Sequence, residues 1–328
     1  MSKIIRFYQP GGAEVQRLED IDPPNPGPGD VRVRVQAIGM NRSDLIFRSG
    51  LHPMKPPVPA CNGAEAAGVV EVVGEGVTAF APGDAVVVVP HMNPERGTYA
   101  EQILVAEDRL MPAFQGLSAL ENAAFWASAF TAYGGLIQTG HLMAGDAVVL
   151  PAASSSVGIA AIQIANLVGA TPIALTRSED KVERLRAAGA AEVFLASDDQ
   201  LAEKILAFTA GSGARVVFDP VGGEQTQTLA KSLRGRGTYV LYGVMAPAIT
   251  PFPVQAAFEN LLTMTVYRLD FINRPEELPA ARAFLDNGLR KGLLSPVIDR
   301  VFHLDEAIDA HRYMEANRQF GKIVLTVP

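Results

Sequence analysis

Cysteine is nearly absent from this 328-residue chain: Cys61 stands alone, which excludes an intramolecular disulfide and a cysteine-rich zinc site. A reducing cytoplasm is the expected compartment. The chain also lacks any uninterrupted apolar run of about 20 residues, the length a bilayer-spanning helix needs. Its opening, MSKIIRFYQPGG, has no apolar stretch of the kind that drives secretion. No membrane partner is expected. Basic excess is missing as well, since 28 Lys and Arg stand against 35 Asp and Glu, a net charge of −7 scattered along the chain. Nothing electrostatic points to nucleic acid. At 48% hydrophobic and 19% charged the composition is too apolar for a disordered polymer, and the length allows about two domains of roughly 100–200 residues each.

Within the first 110 residues, short Val-rich runs (Val31–Val35, Gly68–Val73, Ala85–Val89) alternate with Pro/Gly clusters such as PPNPGPGD and APGD. That texture predicts a compact, mostly β domain. From about Ala119 it gives way to repeated βα units. Strands are expected near Ala147–Leu150, Pro172–Leu175, Glu192–Leu195, Val216–Asp219, Thr238–Tyr242 and Leu262–Tyr267, with helices starting near Val157, Asp180, Gln200 and Glu224. Val157, Ala160, Ala161, Ile164 and Val168 share one helical face. Parallel strands joined by crossover helices make a doubly wound α/β sheet. After about Asp270 the sequence offers a helix near Glu276–Asn287, a strand pair near Val297–Phe302, a helix near Asp305–Glu315 and a last strand Lys322–Val327. Periodicity alone leaves open which domain this tail completes.

The strongest local signal is AVVLPAASSSVGIAAIQIANLVGA, an apolar strand turning through small residues directly into a helix. It is similar to a dinucleotide-binding turn. Ala153, Ser155 and Gly158 stay small so that the backbone can turn tightly, and the helix N-terminus, with Ser154, Ser156 and Val157, then takes a pyrophosphate. The alternative is a merely capped helix, because only one of the usual glycines is present. The second strand ends in ALTRSEDK, where a fold preferring NAD would carry an acidic residue for the ribose. Thr176, Arg177, Ser178 and Lys181 stand there instead. Their donors suit a 2′-phosphate, so NADP(H) is the expected cofactor; otherwise Arg177 and Lys181 decorate a solvated helix start.

The motifs GMNRSDLIFRSG, GAEAAGVVEVVGEGVTAFAPGDAV, GTYAEQ, AASSSVG, VVFDPVGG and GKIVL, in this order over nearly the whole chain, resemble the zinc-independent quinone oxidoreductases, the zeta-crystallin-like group of the medium-chain dehydrogenase/reductase superfamily. The resemblance implies a GroES-like β domain built from both ends of the chain, 1–120 and 268–328, and a Rossmann domain, 121–267, with the active site in the cleft. Asn41, Ala64 and Ala127 stand where the zinc enzymes of the superfamily carry a cysteine, a histidine and a cysteine, so no metal is expected. Without a Lewis acid, simple alcohols are poor substrates. Hydride transfer from NADPH to a quinone, enone or enal leaves charge delocalised over a phenolate or enolate, which modest hydrogen bonds stabilise.

The resemblance places Asn41 beside the nicotinamide and substrate, Thr131 with the Val221–Gly222 backbone along the nicotinamide ring, Tyr242 and Gly243 on the ribose and diphosphate side, and Lys322 at the end of the cleft. Asn41 reads alternatively as a turn residue fixing its own loop, Asp44 as a local cap and Glu65 as a buried hydrogen-bonding group. His52 stands where the group often has a tyrosine, either as a proton donor or as an exposed loop histidine. Tyr133, in FTAYGG, offers a phenol or serves as core at a helix start. Ala196 replaces a tyrosine expected near the adenosine phosphate. Loops near Ile46–Lys55, His91–Arg96 and Ala246–Phe258 shape the acceptor pocket. The apolar sixth strand, LLTMTVYRL, sits at an open sheet edge, which pairing in a homodimer would cover. Two other functions stay open: an enoyl-thioester reductase, and a non-enzymatic NADPH-binding sensor or accessory protein.

Overall fold

A computed structural model describes residues 1–89, 97–270 and 274–327. The loop His91–Arg96, expected to help shape the acceptor pocket, lies outside the described residues. The chain forms two compact units, Met1–Ala127 with Pro296–Pro328, and Ser128–Ser295. Among the described residues no helix is long and apolar enough to cross a membrane.

The first unit opens with β1 (Ser2–Phe7), β2 (Gln16–Ile21), β3 (Asp30–Gly39), the short helix α1 (Arg42–Arg48), β4 (Ala60–Cys61), β5 (Ala66–Val73), β6 (Ala85–Val88), β7 (Gln102–Ala106) and β8 (Leu110–Pro112). Strand β3 is its axis, and the reason is its alternating sequence: Val31, Val33 and Val35 are fully buried while Arg32 and Arg34 point away from the core. It pairs with β5 on one side, and β7 also runs against it. Helix α2 (Ala119–Tyr133) leads from this unit into the next and ends in a π-helical turn, Gly134–Thr139. Tyr133 is therefore at the end of a helix and not at a start. A Cβ on Gly134 would lie 1.9 Å from the Tyr267 hydroxyl, and one on Gly135 would lie 2.1 Å from the Phe218 ring, so both positions exclude side chains.

In the second unit β9 (Ala147–Leu150), α3 (Ser156–Leu167), β10 (Thr171–Thr176), α4 (Val182–Ala187), β11 (Glu192–Leu195), α5 (Leu201–Phe208), β12 (Ala214–Asp219), α6 (Gln225–Lys231), β13 (Leu233–Leu241), α7 (Val254–Asn260), β14 (Thr263–Val266) and α8 (Leu278–Arg290) follow one another. The sheet is parallel throughout, in the order β11-β10-β9-β12-β13-β14. This is the doubly wound dinucleotide fold, and the strand order reverses between β9 and β12. Val149, Val217, Ile173 and Leu175 are fully buried at its centre. On α3 burial falls on Ile159, Ala161, Ile162, Ile164 and Ala165, while Val157 and Val168 are only half-buried. Helix α8 belongs to this unit: a Cβ on Gly288 would meet Leu294 and Leu167, and the Ser295 N–H donates to Gln163.

The chain returns to the first unit with β15 (Ile298–His303), α9 (Ala307–Glu315) and β16 (Lys322–Thr326). A single strand replaces the expected strand pair over Val297–Phe302, because β15 runs parallel to β16 and needs no hairpin turn. In its turn β16 runs antiparallel to β3, with Val324 opposite Gly39. The sheet order β15-β16-β3-β5-β6-β8 thus puts the last strand beside the end of β3, where Asn41 begins α1.

Candidate functional site

Two constellations hold the predicted residues, one in each unit. In the second unit the turn after β9 carries Ala152 in a left-handed conformation (φ +50°) and Ala153 fully buried, its N–H donating to the Leu175 carbonyl at 3.1 Å. Ser155 then caps α3: its Oγ accepts the Gly158 N–H at 3.1 Å. Gly158 is required by its packing. A Cβ there would lie 2.5 Å from the Ala153 carbonyl oxygen and 2.6 Å from its Cα, both backbone atoms that cannot move aside. The turn and the first turn of α3, with Ser156 and Val157, therefore pack as tightly as a pyrophosphate site demands, and the helix N-terminus offers N–H groups that no intrahelical carbonyl uses.

At the end of β10, Thr176 is buried, its hydroxyl donating to the Ser178 carbonyl and accepting the Ser178 N–H. Lys181 is buried and its ammonium donates to Ser154 Oγ at 3.3 Å, joining the two turns. Arg177 is exposed. The Ser178 hydroxyl donates to Asp180, an engagement that competes with any phosphate. Ala196 accepts Gln225 on its carbonyl and donates to the Thr176 carbonyl, so its backbone adjoins the same strand end.

The third side of this region is a carboxylate-pinned loop that sequence reasoning missed. Asp219, at the end of β12, accepts the N–H groups of Val221 (2.7 Å) and Gly222 (3.0 Å) and the Tyr239 hydroxyl (2.7 Å). Burial holds its carboxyl above the usual range. Gly222 and Gly223 both adopt positive φ, and the Gly223 N–H donates to Thr250 Oγ1. Gly243 approaches the Pro220 carbonyl to within the space of a Cβ. Tyr242 stacks on Phe218 at 4.0 Å between ring centroids, and its phenol lies beside the Ser155 side chain. The structure thus brings Tyr242, Ser155 and Gly158 together. Thr131 is half-buried on α2. Tyr133 is 8% exposed and packs its ring on Phe284 at 4.9 Å between centroids, the core alternative for this residue.

In the first unit Asn41, Glu65 and Lys322 meet. The Lys322 ammonium donates to Glu65 Oε2 at 2.5 Å and to Asn41 Oδ1 at 2.9 Å; Asn41 Nδ2 donates to Glu65 Oε2 at 2.9 Å and to the Gly39 carbonyl at 3.2 Å. Glu65 Oε1 accepts the Ala127 N–H at 3.1 Å. Lys322 and Glu65 are 1% and 0% exposed, so this is a charge pair inside the unit. Two of the three positions that would hold zinc ligands, Asn41 and Ala127, converge on Glu65, and among the described residues no group of three or more His, Cys, Asp or Glu could hold a metal. Register explains the meeting, since β16 beside β3 delivers Lys322 to the start of α1.

His52 is half-buried, its Nδ1 accepting the Met54 N–H at 3.1 Å and its ring edge-on to Phe47; burial lowers its pKa, which keeps the imidazole neutral at pH 7. Beneath Asn41 lies a second feature sequence reasoning missed, a buried row formed by Asp44, Tyr99, His311 and Arg48. The clue available was Arg48 in the otherwise apolar run LIFR of α1.

Comparison with known proteins agrees with this architecture. The family model for the alcohol dehydrogenase GroES-like domain matches residues 27–115, and that for zinc-binding dehydrogenase matches residues 156–287. A quinone oxidoreductase of Pseudomonas aeruginosa is 34% identical over 327 residues, 99% of each chain. A 2-haloacrylate reductase of a Burkholderia species is 32% identical over 328 residues, covering 97% of each. The crystal structure of Escherichia coli quinone oxidoreductase complexed with NADPH superposes with a TM-score of 0.90 at 28% identity, covering 99% of this chain and 100% of that one. Full-length likeness of this order, over both domains and in one chain order, settles the family: the chain belongs to the zeta-crystallin-like quinone oxidoreductases of the medium-chain dehydrogenase/reductase superfamily.

Proposed function

We propose that this protein is an NADPH-dependent, zinc-independent reductase of quinones or α,β-unsaturated carbonyls. The observation that carries the reading is the β9–α3 turn, where Gly158 packs against the Ala153 backbone too closely for a side chain and leaves the helix N-terminus open to a diphosphate. Lys181, joined to Ser154, and exposed Arg177 supply positive charge at the end of β10 for a 2′-phosphate. Tyr242, Gly243 and the pinned Val221–Gly222 backbone complete the cofactor-binding residues, with Thr131. When bound, NADPH supplies the hydride. The acceptor class is supported by the relatives, one named for quinones and one for 2-haloacrylate, an activated alkene conjugated to a carboxylate.

On the acceptor side the working residues are Asn41 and Lys322. The ammonium has a third N–H beyond those given to Asn41 and Glu65, and its charge is unscreened by water. That suits an oxygen on which negative charge collects after reduction, where an enolate or phenolate needs only one or two donors. His52, neutral and tied to Met54, is a weak proton source, so solvent protonates the product. The protein acts as a homodimer joined at β14, which ends its sheet and exposes Val266 (73%), beside Phe258 (85%) and Leu261 (64%). Its compartment is the cytoplasm, in keeping with a lone, buried Cys61.

An acceptor panel tests this reading: quinones, enones, enals, enoyl thioesters and simple alcohols, each with NADPH, followed by loss of nicotinamide absorbance. Faster loss with a quinone or enone, unaffected by a chelator, is the expected result. NADPH binding without acceptor-dependent consumption would point to the sensor alternative, and a preference for thioesters to the enoyl reductase.

A further inference from the structure

The row beneath Asn41 has a direction that chemistry alone assigns. Arg48, 2% exposed, gives Nη1–H to His311 Nδ1 at 2.7 Å, Nη2–H to Glu315 at 2.5 Å and Nε–H to the Gly11 carbonyl at 3.1 Å. A guanidinium only donates, so His311 Nδ1 accepts and the imidazole proton sits on Nε2. That proton points at the Tyr99 hydroxyl, 3.2 Å away, and Tyr99 in turn donates to Asp44 Oδ2 at 3.3 Å. The same Oδ2 accepts the backbone N–H of Asn41 at 2.9 Å. Tyr99 and His311 are both fully buried. The row cannot carry protons inward from Glu315, because Arg48 never releases one. It has one stable hydrogen-bond orientation, which ends on Asp44.

We propose that Arg48, His311, Tyr99 and Asp44 form a positioning row that holds Asn41 at the start of α1 by keeping Asp44 Oδ2 aimed at its amide. The inference rests on the reading of Asn41 as part of the reaction site and adds the residues that hold it there. Helix α1 is only seven residues long and has little stability of its own, so an anchored first turn needs support from outside the helix. Asp44 is the sensitive member. Burial pushes its carboxyl up to about 7, against the Tyr99 and Asn41 hydrogen bonds and the Lys322 ammonium of β16, all of which favour its ionised form, while the Glu65 carboxylate opposes it. Cys61 of β4 also lies near by, opposite Arg6 of β1, and is kept as a thiol because burial raises its pKa to about 12.

Three variants test the row. Tyr99→Phe removes only the hydroxyl; His311→Leu removes both ring nitrogens; His311→Gln keeps one acceptor for Arg48 and one donor for Tyr99. Hydrogen exchange of the Asn41 amide and the acid limb of kcat/KM for NADPH-dependent quinone reduction are the readouts. Tyr99→Phe and His311→Leu should speed exchange at Asn41 about tenfold and move the acid limb to higher pH, and His311→Gln should restore both. Unchanged Asn41 exchange in folded Tyr99→Phe, or equal behaviour of the Leu and Gln variants, would overturn the proposal. Asn41→Ala with undiminished turnover would instead remove Asn41 from the reaction site, and the exchange measurement would still decide whether the row holds its amide.

Discussion

Glu65 and Lys322 come from opposite ends of the chain and meet at 2.5 Å with both side chains shut away from water. Such a pair has two unequal modes of failure. Removing one partner strands the other charge in a low-dielectric interior, whereas removing both leaves only a shape to be filled. Lys322→Met or Glu65→Gln alone is expected to lower stability by about 3–5 kcal/mol, and the double variant by clearly less than the sum. Urea unfolding of the three variants measures the difference.

Gly158→Ala should loosen the cofactor turn, since its new Cβ would press on the Ala153 carbonyl oxygen and Cα. A strained turn costs about 1–3 kcal/mol, which in binding terms is about fivefold to a hundredfold. Fluorescence titration with NADPH should show this loss; an unchanged dissociation constant would mean that the turn does not touch the diphosphate.

Arg177→Ala and Lys181→Ala separate the 2′-phosphate from the rest of the cofactor. A charge-assisted contact contributes roughly 1.5–3 kcal/mol, so NADPH binding should weaken about tenfold or more while NADH binding stays nearly constant. Lys181→Ala also removes the bond to Ser154, and a small loss for both cofactors is expected from that side chain alone.

Two buried groups tilt the acid stability in opposite senses. His311 is lowered from 6.5 to about 3 by burial and by the Arg48 charge, so only the unfolded chain binds its proton in that window and stability falls as pH drops through it. Asp44 is raised from 3.8 to about 7, chiefly by burial, so the folded chain binds its proton first and stability rises as pH falls from about 7 toward 3.8. His311→Gln removes the first slope. Denaturation at about pH 7 and about pH 5 should show the variant gaining on the parent upon acidification.

Val266→Lys places a charge on the exposed β14 edge and should give monomers by sedimentation, with NADPH affinity retained. A parent protein that is monomeric at micromolar concentration would dispose of the dimer.

Much of the fold was legible because periodicity reports burial. Alternating valines marked β3, and the run of βα units placed five strands of the second unit to within about two residues, whereas β13 begins at Leu233, five residues before the expected Thr238. The turn after β9 was legible for a related reason: a turn that must stay small shows its small residues in sequence, and Ser155 Oγ accepts the Gly158 N–H there. Features made by long-range register were less open to reading. Glu65 was foreseen as buried but without Lys322 as its partner, since the pairing depends on β16 lying beside β3. His311 is separated from Tyr99 by 212 positions, and nothing in AHRYME tells a buried histidine from a surface one. The same is true of Asp219, whose two bonds to the following amides are local but whose third, to Tyr239, comes from the neighbouring strand.

The placement of Lys322 on the final strand also constrains biosynthesis. Residues 128–295 form an uninterrupted stretch and can condense as soon as they have left the ribosome, whereas the half-built β unit ahead of them must wait. Until β16 has been made, Glu65 and Asn41 have no ammonium to receive, β3 is bare over Ala37–Gly39 on the side that β7 leaves uncovered, and the nascent β unit presents an unpaired edge of the kind that invites aggregation.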